Sequence, residues 1–205
     1  MTRSAMQKIL ILYYSRHGAV YSLAREVGYG VETVENCEAV FRTVPPVSSV
    51  CEATEPAIPK QGDVYASAQD LADCSGLVLG SPTRFGTIAS PLKYFFDQAA
   101  SEWLAGTLVD KPAGVFTSSS SMHGGQESTL LSMMLPLMHH GMIMVGIPYP
   151  KTPIGKTSTG GTPYGASHVG GPDSINPIDS DEKTTARVLG RRVANCARLM
   201  ARQAL

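Results

Sequence analysis

The chain has 205 residues, between one and two nominal domains of about 150, and is long enough to bury a sizeable core. Lys and Arg number 17 and Asp and Glu number 17, a net charge of zero. That removes the electrostatic basis for a nucleic-acid or acidic-membrane binder and, with 43% hydrophobic residues, argues against disorder.

The first apolar run, Ile9 to Leu12, is followed by Tyr13 and Tyr14 and then by polar Ser15, Arg16 and His17. It is too short for a signal-peptide core of ~7–15 residues or a membrane span of ~20, and no other segment comes closer. A cytoplasmic protein without membrane insertion is expected. The run reads instead as the first of five strands: Lys8 to Tyr14, Ala39 to Val44, Gly76 to Gly80, Pro112 to Thr117 and Met142 to Ile147. Their apolar residues follow one another without alternation, as in strands buried on both faces.

Helical spacing fills the intervals. Leu23, Val27, Val31 and Val34 follow the first strand, and Leu92, Phe95, Phe96 and Ala99 the third. Leu130, Leu131, Met134, Leu135 and Met138 follow the fourth, with Pro136 predicting a kink or an interruption. A last helix carries Val188, Val193, Cys196, Leu199 and Met200 and starts near Ser180, Asp181 and Glu182. Strand and helix in alternation predict an α/β fold, a doubly wound parallel sheet with helices on both faces. The chain is read as a single domain, 1–205. The 20 Gly and 14 Pro concentrate in one place: 13 of the 35 residues from Gly146 to Ser180 are one or the other, a segment either functional or floppy. The connection from Pro45 to Ala66 carries no recognisable chemistry.

Ligands of such sheets bind at the carboxyl ends of the strands, so the loops there carry the candidate site. After the first strand, Ser15-Arg16-His17-Gly18-Ala19-Val20 opens a helix and offers hydroxyl, glycine and free amides to an anion. It is neither a Walker loop nor a dinucleotide fingerprint. After the third strand, Pro82-Thr83-Arg84-Phe85-Gly86 can present backbone to a planar heterocycle, with Arg84 balancing negative charge. After the fourth, Ser118-Ser119-Ser120-Ser121-Met122-His123-Gly124 lets a ring approach the backbone, although a serine run also serves as a flexible connector. Cys37, Cys51, Cys74 and Cys196 show no metal or redox spacing, and His139-His140 lacks acidic or thiol companions, so no metal site is expected. Trp103 either caps the core or offers a stacking surface.

Tyr13-Tyr14-Ser15 with Gly18, Pro82-Thr83-Arg84-Phe85-Gly86, Phe96-Asp97-Gln98, Gly124-Gly125-Gln126-Glu127, His139-His140-Gly141-Met142 and Gly160-Gly161-Thr162-Pro163-Tyr164-Gly165-Ala166 occur in this order. Together they closely resemble the WrbA-type NAD(P)H:quinone oxidoreductases, from residue 8 to about residue 190. The resemblance implies a flavodoxin-like five-stranded sheet of order 2-1-3-4-5, bound FMN, NAD(P)H and a quinone as substrates, and a homotetramer. It implies ping-pong transfer of two electrons through the flavin. By the same resemblance Ser15 to Val20 hold the FMN phosphate, Thr83, Arg84 and Phe85 the isoalloxazine edge, and Ser118 to Gly124 its other side. His139 reaches the flavin of a neighbouring subunit, Trp103 walls the substrate pocket, and His17 contacts the nicotinamide nucleotide. The segment at about 146–180 corresponds to the family's insertion near the active site and the subunit contacts. The chain departs from the family's usual pattern at Arg16 and His17, in the longer Ser120 to His123 loop, at Ala89 to Leu92 and from Tyr149 to Thr159. Two other readings stay open: an electron carrier of flavodoxin type, which is usually strongly acidic where this chain is neutral, and a cofactor-free scaffold.

Overall fold

The computed structural model describes residues 5–48, 59–150 and 152–203. Strands β1 (Gln7–Tyr13), β2 (Cys37–Thr43), β3 (Gly76–Pro82) and β4 (Pro112–Ser119) are parallel, in the order β2-β1-β3-β4. The position beyond β4 is shared by two short strands: β5 (Ile143–Met144) pairs with the start of β4, and β6 (Ala166–Val169) with its end. The order 2-1-3-4-5 is thus the one expected, with the fifth position split.

The split corrects the expected strand Met142 to Ile147. After Val145, whose N–H still reaches the Ala113 carbonyl at 2.7 Å, the Ile147 N–H turns to the Pro163 carbonyl at 2.9 Å. The chain pairs with its own returning limb instead of continuing along β4. Val145 and Ile147 are nevertheless buried, so the apolar pattern reports their burial correctly and their conformation wrongly.

Helices α1 (Ala19–Glu32) and α6 (Ser180–Gln203) cover one face; α2 (Ala68–Asp73), α3 (Ser90–Asp97), α4 (Ala100–Leu104) and α5 (Gln126–His139) lie across the other connections. Side chains of a strand alternate between faces. Accordingly Ile9 and Ile11 join the core under α1 and α6, while Leu10 and Leu12 join the core that holds Leu71, Leu92, Leu130 and Met133. That is why β1 reads as an unbroken apolar run. Each such side chain, fully buried, contributes about 1.5–3 kcal/mol.

On α1 the buried residues Val20, Leu23, Ala24, Val27 and Val31 form one stripe. Gly30 lies against the backbone of Arg187 and Gly190 against that of Val27, where a Cβ would collide. These glycines bring α1 and α6 into backbone contact, and Gly28-Tyr29-Gly30 is a packing feature. Pro136 does not interrupt α5, which runs on to His139. It stands in the last turn, where it removes one helical donor without ending the helix. The segment from 146 to 180 is not structureless: it contains β6 and a 3-10 turn at Pro153–Gly155.

Part of the connection from Pro45 to Ala66, with Cys51, lies outside the described residues. Its described end returns to the sheet. Tyr65 bridges to Thr43, and Asp63 accepts a hydrogen bond from the Tyr13 hydroxyl at 2.7 Å and an ion pair from Arg25. Arg25 lies over the rings of Phe41 (3.6 Å) and Tyr21 (4.6 Å), an arrangement favourable for a cation. Burial, then the bond to Asp63, pushes the Tyr13 phenol up from its ordinary value. Among the described residues no helix is long and apolar enough to cross a membrane.

Candidate active site

Because the strands are parallel, β1, β3 and β4 deliver their following loops to one rim. The first loop is closed by the Ser15 hydroxyl, which accepts the Tyr21 N–H at 3.2 Å. Gly18, at φ 89°, caps α1 in the left-handed conformation, which costs glycine nothing. The amides of Ala19 and Val20 have no partner within the helix and carry the positive end of its dipole.

The loop after β3 is a two-residue hairpin. Arg84 and Thr87 exchange backbone bonds of 3.0 and 3.1 Å, and Phe85 (φ 52°) and Gly86 (φ 79°) both lie in the left-handed region that such a turn requires. Thr83 is anchored twice: its N–H donates to the Ser118 carbonyl at 2.9 Å and its hydroxyl accepts from Thr129 at 2.7 Å. The Phe85 ring is fully exposed, at 105%. In the third loop, Ser119 donates to the Ser121 carbonyl at 2.8 Å, and Gly125, at φ 87°, starts α5.

The three loops enclose a cleft of ≈ 280 Å³. Ser15, Arg16 and His17 line it from the first loop with Ala19 and Val20 from the start of α1, Pro82 from the end of β3 with Thr83, Arg84 and Phe85 beyond it, and Ser118 and Ser119 from the end of β4 with Ser120 beyond them. Among the described residues none that lines it is acidic, whereas Arg16, Arg84 and the amino terminus of α1 bring positive potential. This combination favours an anion at the end of α1.

Not every predicted residue reaches this cleft. Gly18 lines a neighbouring cleft. Gly86 packs toward Ser128 and Gly125 at the start of α5, and Ser121, Met122, His123 and Gly124 form the turn beyond the lining serines. Trp103 and His139 do not reach it either; they meet in a separate cleft between α3, α4 and α5, where the indole N–H donates to the His139 carbonyl at 2.8 Å. Their neighbour His140 is buried and its Nδ1 has no partner among the described residues; burial lowers the proton affinity of this imidazole. Ser174, from the Gly/Pro-rich segment, does line the central cleft. Nothing local in the sequence pointed to it.

A second feature escaped the sequence reading. Glu182 and His168 are buried, at 0% and 1% exposure, and His168 Nδ1 stands 2.7 Å from Glu182 Oε2. The same carboxylate accepts from the Thr159 hydroxyl at 2.6 Å, from the Gly160 and Val169 amides at 3.0 Å and from the Asp179 amide at 3.1 Å. Burial by itself raises the proton affinity of this carboxyl, but the converging donors outweigh it and hold the value down at about 2. Elsewhere, burial pushes the thiol of Cys74 up to about 11 and also raises that of Cys37. Among the described residues no group of three or more His, Cys, Asp or Glu side chains could hold a metal ion.

A parallel sheet of order 2-1-3-4-5 with a cleft at its carboxyl rim defines a flavodoxin-like α/β protein. Solved structures share this fold. The flavodoxin, WrbA-like protein from Agrobacterium tumefaciens superposes with a TM-score of 0.66 at 22% identity, over 94% of this chain and 98% of that one. Oxidised Flavodoxin 2 from Bacillus cereus gives 0.56 at 17% identity, over 93% and 97%. The sequence narrows the class: residues 8–155 match the NADPH-dependent FMN reductase family. Two relatives described as NAD(P)H dehydrogenase (quinone) match almost end to end. That of Syntrophobacter fumaroxidans is 39% identical over 204 residues, covering 95% of this chain and 99% of the relative. That of Geobacter sulfurreducens is 40% identical over 197 residues, covering 92% and 97%. The chain belongs to the NADPH-dependent FMN reductase family.

Proposed function

We propose that the protein is an FMN-dependent NAD(P)H:quinone oxidoreductase. The observation that carries the reading is the cleft, with no acidic residue among the described ones that line it, which joins the amino terminus of α1 to residues that follow β3 and β4. FMN fits that donor set. Its phosphate would take the amides of Ala19 and Val20 with the Ser15 hydroxyl and Arg16. Its ring edge would meet Thr83, Arg84 and the backbone of Ser118 to Ser120. Bound there, FMN supplies a two-electron exchange in which the nicotinamide nucleotide and the quinone use one face in turn. The chain's own part is to orient the ring, through the doubly anchored Thr83, and to place the Arg84 cation beside it. His17, on the cleft wall, is assigned to the nicotinamide nucleotide.

The same reading includes a cytoplasmic homotetramer. Cys37, Cys74 and Cys196 are free thiols, as in a reducing compartment. Tyr94, Trp103, Leu104, Leu131, Leu135 and Met138 leave an exposed apolar surface on α3, α4 and α5. Helix α5 is apolar on both sides, since Leu130, Met133 and Leu137 are buried opposite them, and such a helix calls for a partner on its outer face. In a tetramer Trp103 and His139 would approach a neighbour's flavin; light scattering on the eluting protein tests the assembly.

Anaerobic titration tests the activity. NADH is expected to bleach the flavin of FMN-loaded protein and benzoquinone to restore its colour. Protein that stays colourless with added FMN overturns the reading. Ala19→Glu separates folding from binding: a carboxylate at the first position of α1 favours the helix dipole but repels the phosphate, so FMN affinity should fall by roughly 100-fold, or about 2.7 kcal/mol, without loss of stability.

A further inference from the structure

A second cleft, of ≈ 410 Å³, opens on the other flank of the α1 amino terminus and shares His17, Ala19 and Ser174 with the first. His168 lines it from β6, in register with Ser118 on β4. The imidazole is 1% exposed. Its Nδ1 donates to Glu182 Oε2 at 2.7 Å, while its Nε2 has no hydrogen-bond partner among the described residues. The ring is thus buried and held from behind, and Nε2 is the nitrogen it keeps free at a cleft that His168 lines.

The charges around it favour an anion. Nδ1 is taken by the carboxylate behind the ring, which leaves Nε2 to meet a negative ligand. Lys183, also lining the cleft, has no ion pair among the described residues. Glu26, the only acidic residue among the described ones that line the cleft, is engaged by the Arg187 guanidinium at 2.7 Å. The helix dipole adds positive potential at Gly18 and Ala19. Ile175, Pro177 and Ile178 form an apolar wall beside this charged end, suited to a nucleoside.

We propose that this cleft is a phosphate-monoester subsite, with His168 Nε2 and Lys183 as its ligands, that takes the 2′-phosphate of the adenosine end of NADPH. The proposal rests on the oxidoreductase reading for the identity of the nucleotide, and it makes the enzyme prefer NADPH to NADH. The shared walls make it possible: a molecule whose reactive end lies in the first cleft passes His17 and Ser174 to reach the second.

Calorimetric titration of the FMN-loaded protein with adenosine 2′-monophosphate, adenosine and inorganic phosphate tests it. Adenosine 2′-monophosphate should bind at one site per chain, at least tenfold more tightly than either of the others. His168→Gln and Lys183→Ala should each weaken it by tenfold or more and leave FMN affinity within twofold. Lys183 is a partly exposed side chain, so its variant keeps the test valid if His168→Gln fails to fold. In steady state the KM for NADPH should rise in both variants and that for NADH should not. Adenosine binding as well as its 2′-phosphate, or undiminished binding in Lys183→Ala, overturns the proposal. Equal affinity for inorganic phosphate overturns the nucleotide source, and binding only to FMN-free protein shows that the cleft belongs to the FMN phosphate. Failure to take up FMN at all would sink the oxidoreductase reading instead. Phosphate binding lost in Lys183→Ala would then still uphold the anion subsite.

Discussion

The hairpin Arg84–Thr87 and the returning segment from Thr157 to Glu182 meet at the same rim and are held in opposite ways. In the hairpin every decisive interaction is local: two backbone bonds between residues three apart, and two left-handed residues between them. In the returning segment the decisive group is one carboxylate, 13 to 23 residues from most of the chain it organises. The first is specified by turn chemistry and resists point changes elsewhere. The second is a buried hub, whose five donors lose their acceptor together.

The largest expected effect is therefore at Glu182. Glu182→Gln presents an amide group to backbone donors and should lower the urea midpoint by an amount equivalent to roughly 3 kcal/mol, with little change in slope. A loss under about 1 kcal/mol would mean that the hub is dispensable. Acid should act through the same group. Its folded-state value of about 2 lies below the ordinary 4.5, so its contribution is complete above about pH 4.5 and disappears as pH falls toward 2. In Glu182→Gln that part of the acid-unfolding curve should flatten; an unchanged acid slope would assign it to other carboxyls.

The hairpin should answer more quietly. Gly86→Ala forces a Cβ into a left-handed residue, with Ser128 Oγ at 2.9 Å, and should cost about 1–2 kcal/mol. Phe85→Asn should do the reverse. The ring is exposed on a left-handed residue, a conformation that asparagine tolerates better, so melting should rise by an amount equivalent to about 0.5 kcal/mol. If stability instead falls, the ring has a contact that the single chain does not show.

The elements that were legible are those whose signal is contiguous. β1, β3 and β4 announced themselves as apolar runs, because burial on both faces leaves no polar alternation, whereas β2, at the edge of the sheet, is only half-buried and was read from a shorter run. The loops after them followed from topology, and so Ser15, Arg84 and the first three serines after Thr117 were found in the cleft. Glu182 was read only as part of a helix-start signal, which it is, since acidic residues favour the first turn of a helix. Its deeper role depends on Thr159, Gly160, His168 and Val169 arriving from β6 and its approach, and no spacing encodes that arrival. The same holds for Ser174, and for the fifth strand, where an apolar run continues into the core after its hydrogen bonds have turned away from the sheet.

Short-range chemistry in the residue order thus dictated the strands, the helices and the turn conformations at the rim, because hydrophobic period and backbone preference act over a few positions. The division of the fifth strand, the glycine contact between α1 and α6, and the His168–Glu182 pair beside the second cleft arose only when distant segments closed on one another. Whether a buried polar group finds its donors depends on which backbone the fold brings to it, and a string of residues does not carry that information locally.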